Sequence, residues 1–148
     1  MSQELSSEWC RGEYLISTDA ARLDLPFIHD FLTHSYWANG RSIEVVKRSV
    51  ENSLSFGLYR ESQQIGFGRV ITDYATFAYL ADVFVVEAFR GKGLGQWLLQ
   101  VVIAHPELQG LRKWMLGTID AHGFYRKFQF SQVRHPERLM ERWPLGEV

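Results

Sequence analysis

The sequence predicts an α+β fold built on a mixed, mainly antiparallel sheet flanked by helices, and three observations carry that prediction. Two alternating runs, Phe56 to Leu58 and Ile65 to Thr72, are separated by a polar turn at Glu61 to Gln64, as in an antiparallel hairpin. A run from Phe77 to Val86 is apolar on both alternating faces except at Asp82, as a central strand covered on both sides would be. That run leads through a basic, glycine-rich turn, Arg90, Gly91, Lys92, Gly93, Leu94 and Gly95, into a segment of helical period.

The remaining elements follow in chain order. Residues 1 to 12 are polar and read as irregular, and Tyr14 to Ser17 offer a short first strand. Asp24 is placed to cap a helix with Pro26 in its first turn and Phe27, Ile28, Phe31 and Leu32 at helical spacing, ending near Tyr36 and Trp37. Asn39-Gly40 signals a turn, and Ser42 caps a second helix with Ile43, Val46 and Val50 on its apolar positions. After the glycine turn, Leu94, Trp97, Leu98, Val101 and Val102 fall on one helical face, and Pro106 stops that helix. Trp114 to Leu116 reads as a strand reached by a crossover and therefore parallel to the central one. Asp120 is placed to cap a short helix carrying Ala121, Phe124, Tyr125 and Phe128, with further strands expected near Phe130 to Val133 and Leu139 to Arg142.

Size and charge narrow the function. A chain of 148 residues with 46% hydrophobic content has the length and the apolar material of one domain, residues 1–148, with a single core. Sixteen Lys and Arg stand against 17 Asp and Glu, so there is no basic field of the kind that binds nucleic acid nonspecifically. Cys10 is the only cysteine, which leaves no internal disulfide and fits a reducing cytoplasm. The N-terminus has no basic start followed by an apolar core, and no apolar run approaches the roughly 18 residues that span a bilayer. A cytoplasmic protein with no membrane partner is expected.

The glycine turn is the chemically informative stretch. A helix that opens on free backbone N–H groups favours anions, and glycines let phosphates approach the main chain. A nucleotide P-loop is excluded, because Lys92 is followed by Gly93 and not by the Ser or Thr that holds magnesium. A dinucleotide fingerprint belongs near a first strand, whereas this turn lies past the middle of the chain. A merely tight turn accounts for the glycines but not for the Arg and Lys set among them.

With those residues in place, the chain resembles the GNAT superfamily of acetyl-CoA-dependent N-acetyltransferases. The family motif Arg/Gln-x-x-Gly-x-Gly/Ala after a long central strand is matched by Arg90, Gly93 and Gly95. Its A-x-x-x-Y-x-x-x-G-F helix is met by Ala121, Tyr125 and Phe130. Two positions depart from the pattern: Gln129 stands where the family has Gly, and Thr118 where many members have Asn. The resemblance runs from Tyr14 to at least Phe130. It implies that the central strand splays from its parallel neighbour and that acetyl-CoA lies in the gap as co-substrate, with no metal.

The resemblance also implies roles. Val83, Phe84 and Val85 would supply strand backbone to the pantetheine arm, and Arg90, Gly91, Lys92, Gly93, Leu94 and Gly95 would take the pyrophosphate. The Val83 amide matches the oxyanion donor and Tyr125 the general acid, with a core aromatic as the duller reading of Tyr125. Asp82, the only carboxylate in the central strand, is a candidate base or, equally, a buried acid tied to backbone or to Arg69. Tyr36, Trp37 and Arg41 lie where the family walls its acceptor site, and Asp120 and His122 are further candidates to line it. The acceptor expected is the amine of a small molecule, attacking the thioester directly, and a homodimer is compatible with the family. Two alternatives stay open: acetylation of a protein lysine or N-terminus, and a non-catalytic acyl-CoA sensor.

Overall fold

The computed structural model describes residues 6–146, and the chain divides into two compact units, one ending at Gly117 and one beginning at Thr118. The first holds a six-stranded sheet in the order β1-β2-β3-β4-β5-β6, antiparallel except for the parallel pair β5 and β6. The mixed, mainly antiparallel sheet expected from the sequence is therefore the observed one.

Its first hairpin corrects one expectation. Glu8–Arg11 forms β1, paired with β2 (Tyr14–Ser17), where the polar pattern reads as irregular; residues 1–5 lie outside the described residues. The reason is long-range packing, which local polarity does not register. The Trp9 ring lies 6.3 Å from Phe56 and 5.9 Å from His105, and the Arg11 guanidinium sits 4.9 Å over the Trp97 ring.

Helix α1 (Leu25–Thr33) begins as predicted, with the Asp24 carboxylate accepting from the Phe27 N–H. It stops short of Tyr36 and Trp37. Ser35 Oγ donates to the Leu32 carbonyl at 2.7 Å and accepts from the Ala38 N–H at 3.1 Å, and this local bonding competes with another helical turn. Helix α2 (Ile43–Glu51) starts on Ser42, whose hydroxyl accepts from the Val45 N–H. Strands β3 (Leu54–Arg60), β4 (Gln63–Thr72) and β5 (Phe77–Val85) follow, then α3 (Leu94–Ala104), ended by Pro106, and β6 (Lys113–Met115).

The two sheet faces are covered differently. Ile28 and Leu32 of α1 and Val46 and Val50 of α2 pack with Phe67 and Phe84, a buried cluster that fixes both helices on one face. On the other face, Gly68 leaves room for Val83 and for Leu98 of α3, whose side chains lie 3.5 and 3.9 Å from where a Cβ would stand. Trp97, Leu98, Leu99, Val101 and Val102 bury the inner side of α3.

The second unit opens with α4 (His122–Arg126). Asp120 does not cap it; Thr118 Oγ1 accepts from the Ala121 N–H at 3.1 Å instead. The strands expected near Phe130 to Val133 and Leu139 to Arg142 are absent, and a single turn of 3-10 helix at Pro136–Arg138 stands between the two stretches. Nearly every residue from 131 to 146 is exposed, and Arg134, Glu137, Arg138, Glu141 and Arg142 interrupt what reads as strand alternation. A strand there would have little apolar surface to bury.

Candidate active site

The site grows out of the C-terminal half of β5. The parallel partner β6 pairs only with its first residues, Phe77 with Lys113, Ala78 with Trp114 and Tyr79 with Met115, where β6 itself ends, so that from Leu80 onward β5 has no paired strand on that edge. On the other edge of β5 the register with β4 slips. Phe67 faces Phe84 and Arg69 faces Ala81, which leaves Gly68 alone opposite both Asp82 and Val83. Asp82 adopts φ +56°, a left-handed conformation that costs a non-glycine residue on the order of 1–3 kcal/mol unless its surroundings hold it there.

Three side chains supply that hold. Arg69 Nε donates to Asp82 Oδ2 at 2.6 Å, an Arg41 terminal nitrogen donates to the same oxygen at 2.8 Å, and Trp37 Nε1 donates to Oδ1 at 2.9 Å. Arg69 is anchored in turn on Ser53 Oγ at 3.0 Å. Burial alone would raise the Asp82 pKa, but the charges and hydrogen bonds of Arg69 and then Arg41 outweigh it and hold the carboxyl below its ordinary value. A carboxylate this firmly ionised is a weak proton acceptor at neutral pH, which disfavours the candidate base and favours the buried acid tied to Arg69.

Two candidate acceptor residues, Trp37 and Arg41, are thus joined to β5 across more than forty positions of sequence. The rest of their segment is held as closely. His29 Nε2 lies 3.0 Å from the Arg41 carbonyl, the Tyr36 and Trp37 rings meet edge to face at 5.1 Å, and Phe31 stacks on Phe84 at 3.8 Å. That stacking buries the Phe84 side chain, so Phe84 presents a ligand with backbone only. Tyr36 and Trp37 keep half and two-fifths of their surface exposed.

At the far end of β5 the glycine turn has the form its sequence suggests. Gly91 and Gly93 take φ +79° and +77°, and a Cβ on either would meet nothing within 4 Å, so the turn fronts open space. Gly93 is the N-cap of α3 and supplies no capping side chain, which leaves the first N–H groups of the helix available to an anion. The Leu94 side chain is buried, Lys92 is exposed, and Arg90 Nε folds back to donate to the Val85 carbonyl at 2.9 Å. Arg90 thereby ties the turn to the end of the strand as well as adding charge. An opened strand, left-handed glycines and an uncapped helix start fit the phosphates and the amide-bearing arm of a coenzyme A thioester.

A family model for the acetyltransferase (GNAT) domain matches residues 51–132, from the end of α2 through the glycine turn to beyond α4. The chain belongs to the GNAT acetyltransferase family. A candidate acetyltransferase of Gibberella zeae is 34% identical over 142 residues, covering 80% of this chain and 79% of that protein. A crystal structure of a candidate GNAT acetyltransferase from Xanthomonas campestris shares 45% identity with a TM-score of 0.86, covering 88% of this chain and 92% of that one. A GNAT family acetyltransferase from Elizabethkingia anophelis with acetyl-CoA bound shares the fold at 19% identity and a TM-score of 0.60, over 80% of this chain and 74% of that one.

The second unit of this GNAT acetyltransferase carries Asp120, His122 and Tyr125. Tyr125 sits on α4 between the rings of Phe124, at 5.1 Å, and Phe130, at 6.1 Å. The helix ends in a Schellman motif, with the Phe130 N–H donating to the Tyr125 carbonyl and the Gln129 N–H to that of Arg126. Gln129 takes φ +69°, the left-handed position that glycine adopts without strain, which gives a physical reason for the family's Gly there. Sequence reasoning did not find Ser53 or His29. Both act by bonding side chains or backbone remote in sequence, and no local pattern marks them.

No group of His, Cys, Asp and Glu among the described residues could hold a metal ion, and no helix among them is long and apolar enough to cross a membrane.

Proposed function

We propose that this protein moves an acetyl group from acetyl-CoA to the amine of a small metabolite by direct attack. The observation that carries the reading is a β5 edge left without a parallel partner beyond Tyr79, leading into a left-handed glycine turn that starts α3 uncapped. The presence of acetyl-CoA in the Elizabethkingia anophelis relative of the same fold supports it.

Bound there, acetyl-CoA supplies a thioester whose carbonyl carbon is open to an amine. The protein's own groups do the rest. Backbone N–H groups from Gly91 to Gly95 take the pyrophosphate, with Lys92 and Arg90 adding charge and the dipole of α3 favouring the anion. Backbone groups of Val83, Phe84 and Val85 align the pantetheine arm beside the bulge. The Val83 N–H, at the bulge where the β4 register slips, donates to the thioester oxygen as charge gathers on it. Tyr125, assigned by its sequence motif, gives its phenolic proton to the departing thiolate. Asp82 keeps the bulge in shape, and the proton the amine releases passes to solvent water, which also returns one to the Tyr125 phenolate. Tyr36, Trp37 and Arg41 face the acceptor, and Asp120 and His122 remain its candidate lining.

Calorimetric titration with acetyl-CoA, followed by free-thiol release across a panel of amines, tests this reading. Micromolar binding with turnover of small amines is the expected result, and absence of binding sinks it. Binding with turnover only on peptides or protein lysines makes the protein acetyltransferase the better reading, and binding with no turnover favours a sensor.

A further inference from the structure

The acceptor side of the β5 bulge holds more positive charge than it pairs. Among the described residues, Asp82 is the only carboxylate in contact with either Arg69 or Arg41, so two guanidiniums share one anion. Both carboxylate oxygens are already occupied, Oδ1 by Trp37 and Oδ2 by the two arginines. Surplus charge that is largely withdrawn from water is costly, and it favours whatever anion can reach it.

The two arginines are not equivalent. Arg69 has a side chain only 10% exposed and donates from Nε to Asp82 and from a terminal nitrogen to Ser53. Arg41 is 21% exposed and commits one terminal nitrogen to Asp82, and no other acceptor among the described residues engages its guanidinium. A guanidinium has five donors in a planar fork, so an open edge remains that matches a carboxylate or phosphate. This is not a loose surface arginine. Its N–H donates to the Ala38 carbonyl at 3.2 Å, its own carbonyl sits 3.0 Å from His29 Nε2, and the half-exposed Tyr36 and Trp37 rings stand in the same segment.

The position suits a specificity element. Arg41 bonds Asp82, whose chain neighbour is Val83, and with 3.8 Å between adjacent Cα atoms that puts the guanidinium within about 10 Å of the Val83 N–H. An amine attacking beside Val83 would then carry its own anionic group within reach of Arg41 when the acceptor is the size of an amino acid or an aminoalkyl phosphate. We infer that Arg41 is an anion-reading residue, and that the acceptor is a small amine bearing a carboxylate or a phosphate. The inference rests on the acetyl transfer proposed above and narrows its substrate class.

The test pairs each anionic amine with a neutral analogue: amino acids against their amides, β-alanine against its amide, and phosphoethanolamine against ethanolamine. The expected result is kcat/KM at least tenfold higher for one anionic class, which also tells carboxylate from phosphate. Arg41→Gln should bring that ratio to near one, chiefly through KM, while acetyl-CoA affinity stays within about twofold. Arg41→Lys should keep part of the preference. Asp82 retains Arg69 and Trp37 in both variants, so folding is expected to survive, and thermal melts check it. Equal use of anionic and neutral amines, or a preference untouched by Arg41→Gln, overturns the inference, as does failure of every anionic amine to turn over while acetyl-CoA binds. Should acetyl-CoA itself not bind, the transfer reading fails separately. Phosphate and succinate are then titrated directly, and thermal stabilisation of the wild type but not of Arg41→Gln upholds the anion site, whereas no difference removes it.

Discussion

The two ends of the opened half of β5 are built in opposite ways. The glycine turn is made of consecutive residues, Arg90 to Gly95, each doing a backbone job that its own type permits. The bulge is held by residues 37, 41, 53, 69 and 82, drawn from the segment before α2, the turn between α2 and β3, and strands β4 and β5, and linked by side-chain bonds. One is a local conformation that any context with room can hold. The other is a strained conformation that exists because a buried ion network overdetermines it. A turn of the first kind can therefore persist through much sequence change, whereas a bulge tied to such a network changes shape with a single partner.

The sharpest way to break the contrast is Asp82→Ala, which leaves the buried Arg69 and the partly exposed Arg41 without an anion and removes the clasp on the bulge. Breaking a buried pair in this way costs about 3–5 kcal/mol, read as a large fall in the urea midpoint and in Tm. The same network sets an acid limit. Because the folded Asp82 carboxyl titrates below its unfolded counterpart, its contribution is full above about pH 4. That contribution fades as pH falls toward the lowered folded value, so acid unfolding should be milder in Asp82→Asn than in wild type.

On the coenzyme side, Tyr125→Phe should lower kcat about 100-fold with acetyl-CoA affinity nearly unchanged; an unchanged rate removes Tyr125 from the acid role. Gly93→Val forces a β-branched residue into a left-handed cap and brings a side chain to the face the pyrophosphate would approach. Calorimetry should show acetyl-CoA binding weakened roughly tenfold or more. Its effect on stability should stay well below that of Asp82→Ala, and the reverse order would erase the distinction between the two regions. The smallest effect is expected at the end of α4, where Gln129→Gly relieves a left-handed glutamine and should add about 0.5–1 kcal/mol of stability, measured as a modest rise in Tm.

The same division between local and long-range construction separates what is legible in the amino-acid sequence from what is not. The hairpin, the central strand, the parallel crossover and the caps at Asp24 and Ser42 follow from periodicity and short-range chemistry, and all are present. Misreadings gather where tertiary contacts outvote local pattern: β1, recruited by Trp9 and Arg11, and the tail after Phe130, whose alternation finds no sheet. Asp82 shows the limit most clearly. A lone acid in an apolar strand reads equally well as a base or as a paired charge, and only the tertiary structure shows it bonded to Arg69, Arg41 and Trp37.

By itself, then, the sequence determined the family, the order of elements and the glycine turn, because each depends on residues within a few positions of one another. The tertiary structure decided the opening of β5 from β6, the left-handed bulge at Asp82 and the open edge of Arg41. The last two depend on a charge balance among residues that meet only once strands β4 and β5 and the segment before α2 have come together.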